Sequence, residues 1–153
     1  MMKKDRNEIE ILARGACVKN GKILVCRNCK HGNVYLPGGH VDWGEDSQHA
    51  LAREWREELG VPAKAGRFLG VVEQSYKARS GRTCEISLVF EVICPKLSAQ
   101  KNPPSAEDHL EFEWVPLKDL RKSGLLPIAM AERVPAWSAR PAAAAARWLG
   151  FSR

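Results

Sequence analysis

Residues 38 to 60, GGHVDWGEDSQHALAREWREELG, constrain the chain more than any other stretch. Paired glycines, which let backbone approach backbone or a ligand closely, lead through a polar loop into a helix-period pattern. Ser47 reads as the N-cap, with Asp46 as its rival. On a helix over 48–59, at roughly 100° per residue, Leu51, Ala52, Trp55 and Leu59 fall within an arc of about 100°, a stripe that faces a core. Glu54, Glu57 and Glu58 fall on a neighbouring arc at i, i+3 and i+4, so their side chains meet over one patch. Arg53 and Arg56 fall on the far side. Gly60 stops the helix and Pro62 follows it.

Three carboxylates on one patch repel one another. Either they raise one another's pKa or they recruit a cation, and oxygen-only ligands favour Mg²⁺, Mn²⁺ or Ca²⁺ over zinc. The alternative is a solvated, glutamate-rich helix face, and EWREE alone does not decide between them.

The flanking sequence is mostly strand. IEILARGACV (9–18) reads as a strand, Asn20-Gly21 as a hairpin turn, and ILVCR (23–27) as the returning strand. VYLP (34–37) is a short strand and GGHVDWGED a loop. GRFLGVVEQSYKA (66–78) and CEISLVFEVIC (84–94) are two longer strands joined by a turn at 79–82. LEFEWVPL (110–117) alternates as a strand. PLKDLRKSGLL suggests a short helix and PAAAAARWLGF (141–151) a C-terminal one. Strands outnumber helices in meandering order, which argues for an α+β chain with a mixed sheet.

At 153 residues the chain fits one domain spanning 1–153. No apolar run approaches the roughly 18 to 20 residues of a membrane span, and the start MMKKDRNEIEI has no apolar signal core. A cytosolic, non-membrane protein is the expectation. The net charge of +6 favours anionic partners such as phosphates or nucleic acid. Five cysteines, an odd number spread along strands and loops, read as reduced thiols. Cys26, Cys29 and His31 lie close in sequence, but a zinc site needs four ligands and the other cysteines offer no second pair.

Gly39, Glu45, Arg53-Glu54, Glu57-Glu58 and Gly60, with bulky apolar residues at 55 and 61, stand at the fixed spacings of the Nudix box. Over residues 39–61 the chain resembles the Nudix hydrolases, and the preceding LPGGHV is also typical of them. Trp55 departs mildly, because that place is more often aliphatic; it should still pack as core. The resemblance implies a Nudix fold, a mixed, curved β-sheet sandwiched between α-helices. It also implies divalent-metal-dependent hydrolysis, with Mg²⁺ or Mn²⁺, of a phosphoanhydride bond in a nucleoside diphosphate linked to another moiety, by water attack at phosphorus.

By the same resemblance Glu54, Glu57 and Glu58 bind metal, with Glu57 as principal ligand and the Gly38 carbonyl as a further one. Arg53 orients a catalytic carboxylate. Glu45 pairs with Arg53 and braces the loop, and Gly39 and Gly60 support the site. The general base comes from the box, as Glu54, or from SAEDHLEFEW. There Glu107, seven residues before Trp114, leads Glu111, with Asp108 and His109 nearby; Glu85 is a weaker option. Arg14 and Arg27 are candidates to hold substrate phosphate, and His40 and Asp42 to line the site. For each of these, surface charge is the rival reading. Tyr76, Phe68 and Trp114 either stack a base or belong to the core.

A small nucleotide-type substrate is therefore expected over a nucleic acid, with no membrane partner; homodimers are common among relatives. Two other readings stay open, a nucleotide-binding regulator without turnover and an RNA-end-processing pyrophosphohydrolase. ADP-ribose, dinucleoside polyphosphates, oxidised nucleoside triphosphates and nucleotide sugars all remain candidate substrates.

Overall fold

The structure, a computed structural model, describes residues 7–78 and 81–141. Among these described residues, eight strands form two four-stranded sheets. The first holds β1 (Glu8–Ala16), β5 (Gly38–His40), β6 (Lys64–Ala78) and β7 (Gly81–Ile93) in the order β5-β1-β7-β6. It is mixed: β1 runs parallel to β7, and the other pairs are antiparallel. In the second, β3 (Lys22–Asn28) pairs with β2 (Val18–Lys19), β4 (Val34–Tyr35) and β8 (Leu110–Pro116). Helix α1 (Ser47–Leu59) packs on one face of the first sheet. Helix α2 (Ile128–Ala139) and the second sheet contribute to a core on the other face. This is the layered α+β arrangement expected of the chain.

Several local expectations change. The strand expected over 9–18 ends at Ala16, and Val18–Lys19 joins the other sheet. The hairpin follows at once, with Asn20 (φ 50°) and Gly21 (φ 72°) both left-handed, as a two-residue turn between strands requires. Residues 38–40, expected as loop, form β5 against β1, with Ala13 opposite Gly39 and Arg14 opposite Gly38. The N-cap is Asp46, not Ser47: its Oδ1 accepts the His49 N–H at 2.9 Å and the ring Nδ1 lies 2.8 Å away. Residues 117–123 form a 3-10 helix. The C-terminal helix expected at 141–151 lies almost wholly outside the described residues, as do positions 79–80 of the expected turn.

Helix α2 was not foreseen. Its buried Met130, Ala131 and Val134, with Trp137 packed alongside, follow helical spacing. Pro135 lies inside the helix and disguises that pattern as a breaker.

Core packing explains how Trp55 fits a place usually held by a smaller side chain. It is fully buried among Leu51, Leu59, Phe90 and Val92. Gly15 on β1 makes the room: a Cβ there would lie 2.8 Å from Trp55 Nε1 and 2.5 Å from Val92. Burial of each large apolar side chain of α1 contributes about 1.5–3 kcal/mol to docking the helix. Phe68 packs at 5.4 Å from Phe90, and Trp114 is buried in the same core, so neither is available to stack a base. Cys17 and Cys26 are buried, and burial pushes both thiols up to about 12. All five cysteines are free. Among the described residues no helix is long and apolar enough to cross a membrane.

Candidate active site

Strand β5 and helix α1 build the site together. Gly38, at φ 138°, sits so close to β1 that a Cβ would lie 2.0 Å from the Ala13 carbonyl oxygen. Gly39 is close-packed on its other side, where a Cβ would lie 2.5 Å from the Glu54 carboxyl carbon. The paired glycines are thus needed for two different contacts, one with the sheet and one with a carboxylate.

Glu58 is 6% exposed and accepts the Gly38 N–H at 3.3 Å. Burial pushes its carboxyl up to about 8; Glu54 and Glu107 add to the rise, while Arg14 and the Gly38 N–H oppose it. Glu54 is raised as well, through burial, against the pull of Arg53. Glu57 is the most exposed of the three, with about half its side chain in solvent.

Arg53 does not lie on the far side of the helix. It is one turn before Glu57, and its guanidinium reaches round to the carboxylate patch. Its Nε and Nη2 donate to the two oxygens of Glu45 at 2.9 and 3.0 Å. Its Nη1 donates to Glu54 at 3.0 Å and to Glu57 at 3.3 Å, and Nη2 also reaches the His40 carbonyl at 2.9 Å. Glu45 and its neighbours hold Arg53 protonated. Gly60 closes the helix at φ 68° with its N–H on the Arg56 carbonyl.

Among the described residues no three acidic, histidine or cysteine side chains form a ready-made metal cage. The donor chemistry nevertheless fits a hard divalent cation. Glu54, Glu57, Glu58 and the Gly38 carbonyl offer oxygens only, and burial pushes the Glu58 carboxyl up, which a bound cation would offset. Arg14 Nη1 already donates to the Gly38 carbonyl at 3.0 Å, and that oxygen has a second lone pair.

The other expected residues are more scattered. The 105–107 loop docks on the end of α1, where the Ala106 N–H and the Ser105 hydroxyl both donate to the Glu58 carbonyl. That brings Glu107 near Glu58, with His109 Nε2 at 3.4 Å from it. Glu107, Asp108 and His109 line an open cavity of about 570 Å³ with Cys29 and Lys30. Arg27 and Glu111 stand opposite each other on β3 and β8. His40 is exposed and paired with Glu10 at 3.3 Å.

Arg14 lies at the junction with a further cavity of about 360 Å³ between the sheets, lined among others by Tyr35, Gln74, Tyr76, Glu85 and Ser87. The sequence singles out Arg14 and Tyr76 as substrate contacts and Glu85 as a weaker general-base option, but not Tyr35, Gln74 or Ser87. Their signal was the two-residue alternation: Gln74, Glu85 and Ser87 share the face of Val72 and Val89, the side of the sheet facing away from α1.

Comparison with known proteins identifies the family and the fold. The family profile described as NUDIX domain matches residues 10–137. An ADP-ribose pyrophosphatase of Methanocaldococcus jannaschii is 32% identical over 111 residues, covering 71% of this chain and 62% of that protein. A putative 8-oxo-dGTP diphosphatase 2 of Mycobacterium tuberculosis is 29% identical over 122 residues, covering 77% and 81%. The crystal structure of a MutT protein from Methanosarcina mazei Go1 superposes with a TM-score of 0.67 at 22% identity, over 85% of this chain and 93% of that one. The chain thus spans less than two thirds of the archaeal pyrophosphatase. With its box residues gathered on β5 and α1 and the matched region running through both sheets into α2, this chain belongs to the Nudix family.

Proposed function

We propose that this chain hydrolyses a phosphoanhydride bond of a nucleoside diphosphate derivative with the help of a divalent cation, Mg²⁺ or Mn²⁺. One observation carries the reading: two glutamates of α1, Glu54 and the buried Glu58, are pressed onto the Gly38–Gly39 backbone, and Arg53 bridges Glu54 to the third, Glu57. Pyrophosphatase and diphosphatase names among the relatives support it.

Glu54, Glu57, Glu58 and the Gly38 carbonyl hold the cation, with Glu57, the most accessible, as principal ligand. When bound, the cation neutralises the pyrophosphate and acts as Lewis acid on its oxygens. Arg53 keeps Glu54 and Glu57 in place, and Glu45 fixes Arg53. Arg14 meets the substrate phosphates where the cavity approaches Gly38. Glu107 takes the proton from the attacking water, with Glu54 as its rival for that role. A cytoplasmic location fits a nucleotide substrate.

The test is ³¹P NMR of a panel of ADP-ribose, nucleotide sugars, dinucleoside polyphosphates and nucleoside triphosphates, in ¹⁸O water, with Mg²⁺, Mn²⁺ or EDTA. Metal-dependent product carrying ¹⁸O on phosphorus is expected. Ligand binding without product under either metal would favour a regulator without turnover.

A further inference from the structure

The cavity between the sheets is polarised. Arg14 stands at one end, bonded to the Leu36 and Gly38 carbonyls and stacked 4.8 Å over the Tyr35 ring. Glu85 stands toward the other. Its strand position is four residues from Val89, the register partner of Arg14, or roughly 13 Å along the strand. Glu10 lies opposite Glu85 on β1, its carboxylate held by His40. A phosphate is attracted to the Arg14 end and repelled from the Glu85 end. A nucleotide therefore enters with its base toward Glu85. The volume of about 360 Å³ lies at the small end of the roughly 300–1,000 Å³ of ligand pockets, enough for one nucleoside unit.

The Glu85 carboxylate is preorganised. Gln74 Nε2 donates to Oε2, and the Tyr76 hydroxyl donates to Oε1 at 3.3 Å. Each carboxylate oxygen keeps a further lone pair, and the Gln74 amide keeps a second N–H. Across this wall the row reads donor, acceptor, acceptor. Among the bases, guanine alone presents the complement, O6 as acceptor beside N1–H and N2–H as donors. Adenine would turn its N1 lone pair toward the carboxylate, cytosine its N3 and O2. Uracil offers one N–H between two carbonyls.

We propose that this cavity selects a guanine nucleotide, with Glu85 accepting from guanine N1–H and N2–H and Gln74 donating to O6. The inference rests on the proposed hydrolase reading only for where the phosphates go. An oxidised guanine with an unaltered N1–N2 edge satisfies the same wall.

Isothermal titration calorimetry of the metal-free full chain with GMP, IMP, AMP, CMP, UMP and ribose 5-phosphate tests it. GMP should bind tightest, by about tenfold over IMP, which lacks only the 2-amino group, and by at least that over AMP. Glu85→Gln replaces one acceptor with a donor, so the folded variant should lose the preference of GMP over AMP. The GMP–IMP comparison needs no variant, so the proposal stays testable if Glu85→Gln does not fold. AMP binding as tightly as GMP would overturn it. So would ribose 5-phosphate matching GMP and weakening equally in Glu85→Gln, because Glu85 would then hold a sugar diol. Hydrolysis of the nucleotide panel without base preference would remove this inference and leave the hydrolase reading standing. Guanine-selective binding without any hydrolysis would do the reverse.

Discussion

Arg53 and Glu45 meet through two parallel hydrogen bonds, Nε to Oε1 at 2.9 Å and Nη2 to Oε2 at 3.0 Å. The pair ties the loop after β5 to the middle of α1, and the same guanidinium still reaches Glu54 and Glu57. A planar fork is needed to serve all three carboxylates, which an ammonium cannot do. Arg53→Lys is therefore expected to stay folded and to lose about 10- to 100-fold in metal affinity or turnover, as for other residues that position ligands. Mn²⁺ titration by electron paramagnetic resonance checks this. Unchanged affinity and unchanged turnover together would show that Arg53 braces the fold only.

The two adjacent glycines should fail in different ways. An alanine at Gly38 meets a backbone carbonyl at 2.0 Å in a conformation that side chains rarely adopt. Gly38→Ala should therefore cost several kcal/mol of stability, if it folds at all. An alanine at Gly39 meets the movable Glu54 carboxyl. Gly39→Ala should lower the melting temperature less and turnover more. Circular dichroism melts beside an activity assay compare the two; equal loss of stability in both would contradict the distinction.

Asp46 gives an acid-side signature. Burial raises its carboxyl, but hydrogen bonds from the His49 backbone and ring, with the His49 charge, outweigh that and leave it below the ordinary value. A depressed acid contributes stability that is present above its unfolded pKa of about 3.9. That stability is lost as pH falls through the lower folded value. At pH 7 Asp46→Ala should cost about 1 kcal/mol. The gap between wild type and variant should narrow below about pH 4. Urea unfolding at several pH values measures it, and a gap independent of pH would show that the cap's charge contributes nothing.

Gly15 and Trp55 form a coupled pair. Gly15→Ala should destabilise by about 1–3 kcal/mol through overpacking, and by less in a Trp55→Leu background, where part of the space is freed. A double-mutant cycle by denaturant unfolding checks it; strict additivity would place the clash with Val92 alone.

What could be read in the sequence was local. The stripe of Leu51, Trp55 and Leu59, the Gly60 stop and the convergence of three glutamates all lie within one helix, where spacing fixes neighbours. Arg53 was misplaced because a helical wheel carries no side-chain length; a guanidinium spans the turn to Glu45 and Glu57. Strand β5 was invisible because its pairing is with β1, more than 20 residues away, through glycines of low strand preference. The cavity was invisible for the same reason: Arg14, Tyr35, Gln74 and Glu85 come from four strands, and only sheet register brings them together. Helix α2 was hidden by Pro135, which packing along Met130, Val134 and Trp137 outweighs.

The central claim is that the α1 carboxylates carry metal-dependent phosphoanhydride cleavage. Its most direct test is turnover of wild type and Glu57→Gln on one responsive substrate, with Mg²⁺ and with EDTA, after equal melting temperatures have been shown. The account predicts turnover by wild type with Mg²⁺, loss in EDTA, and a fall of orders of magnitude in Glu57→Gln. Near-wild-type turnover in Glu57→Gln, or cleavage that persists in EDTA, would contradict it.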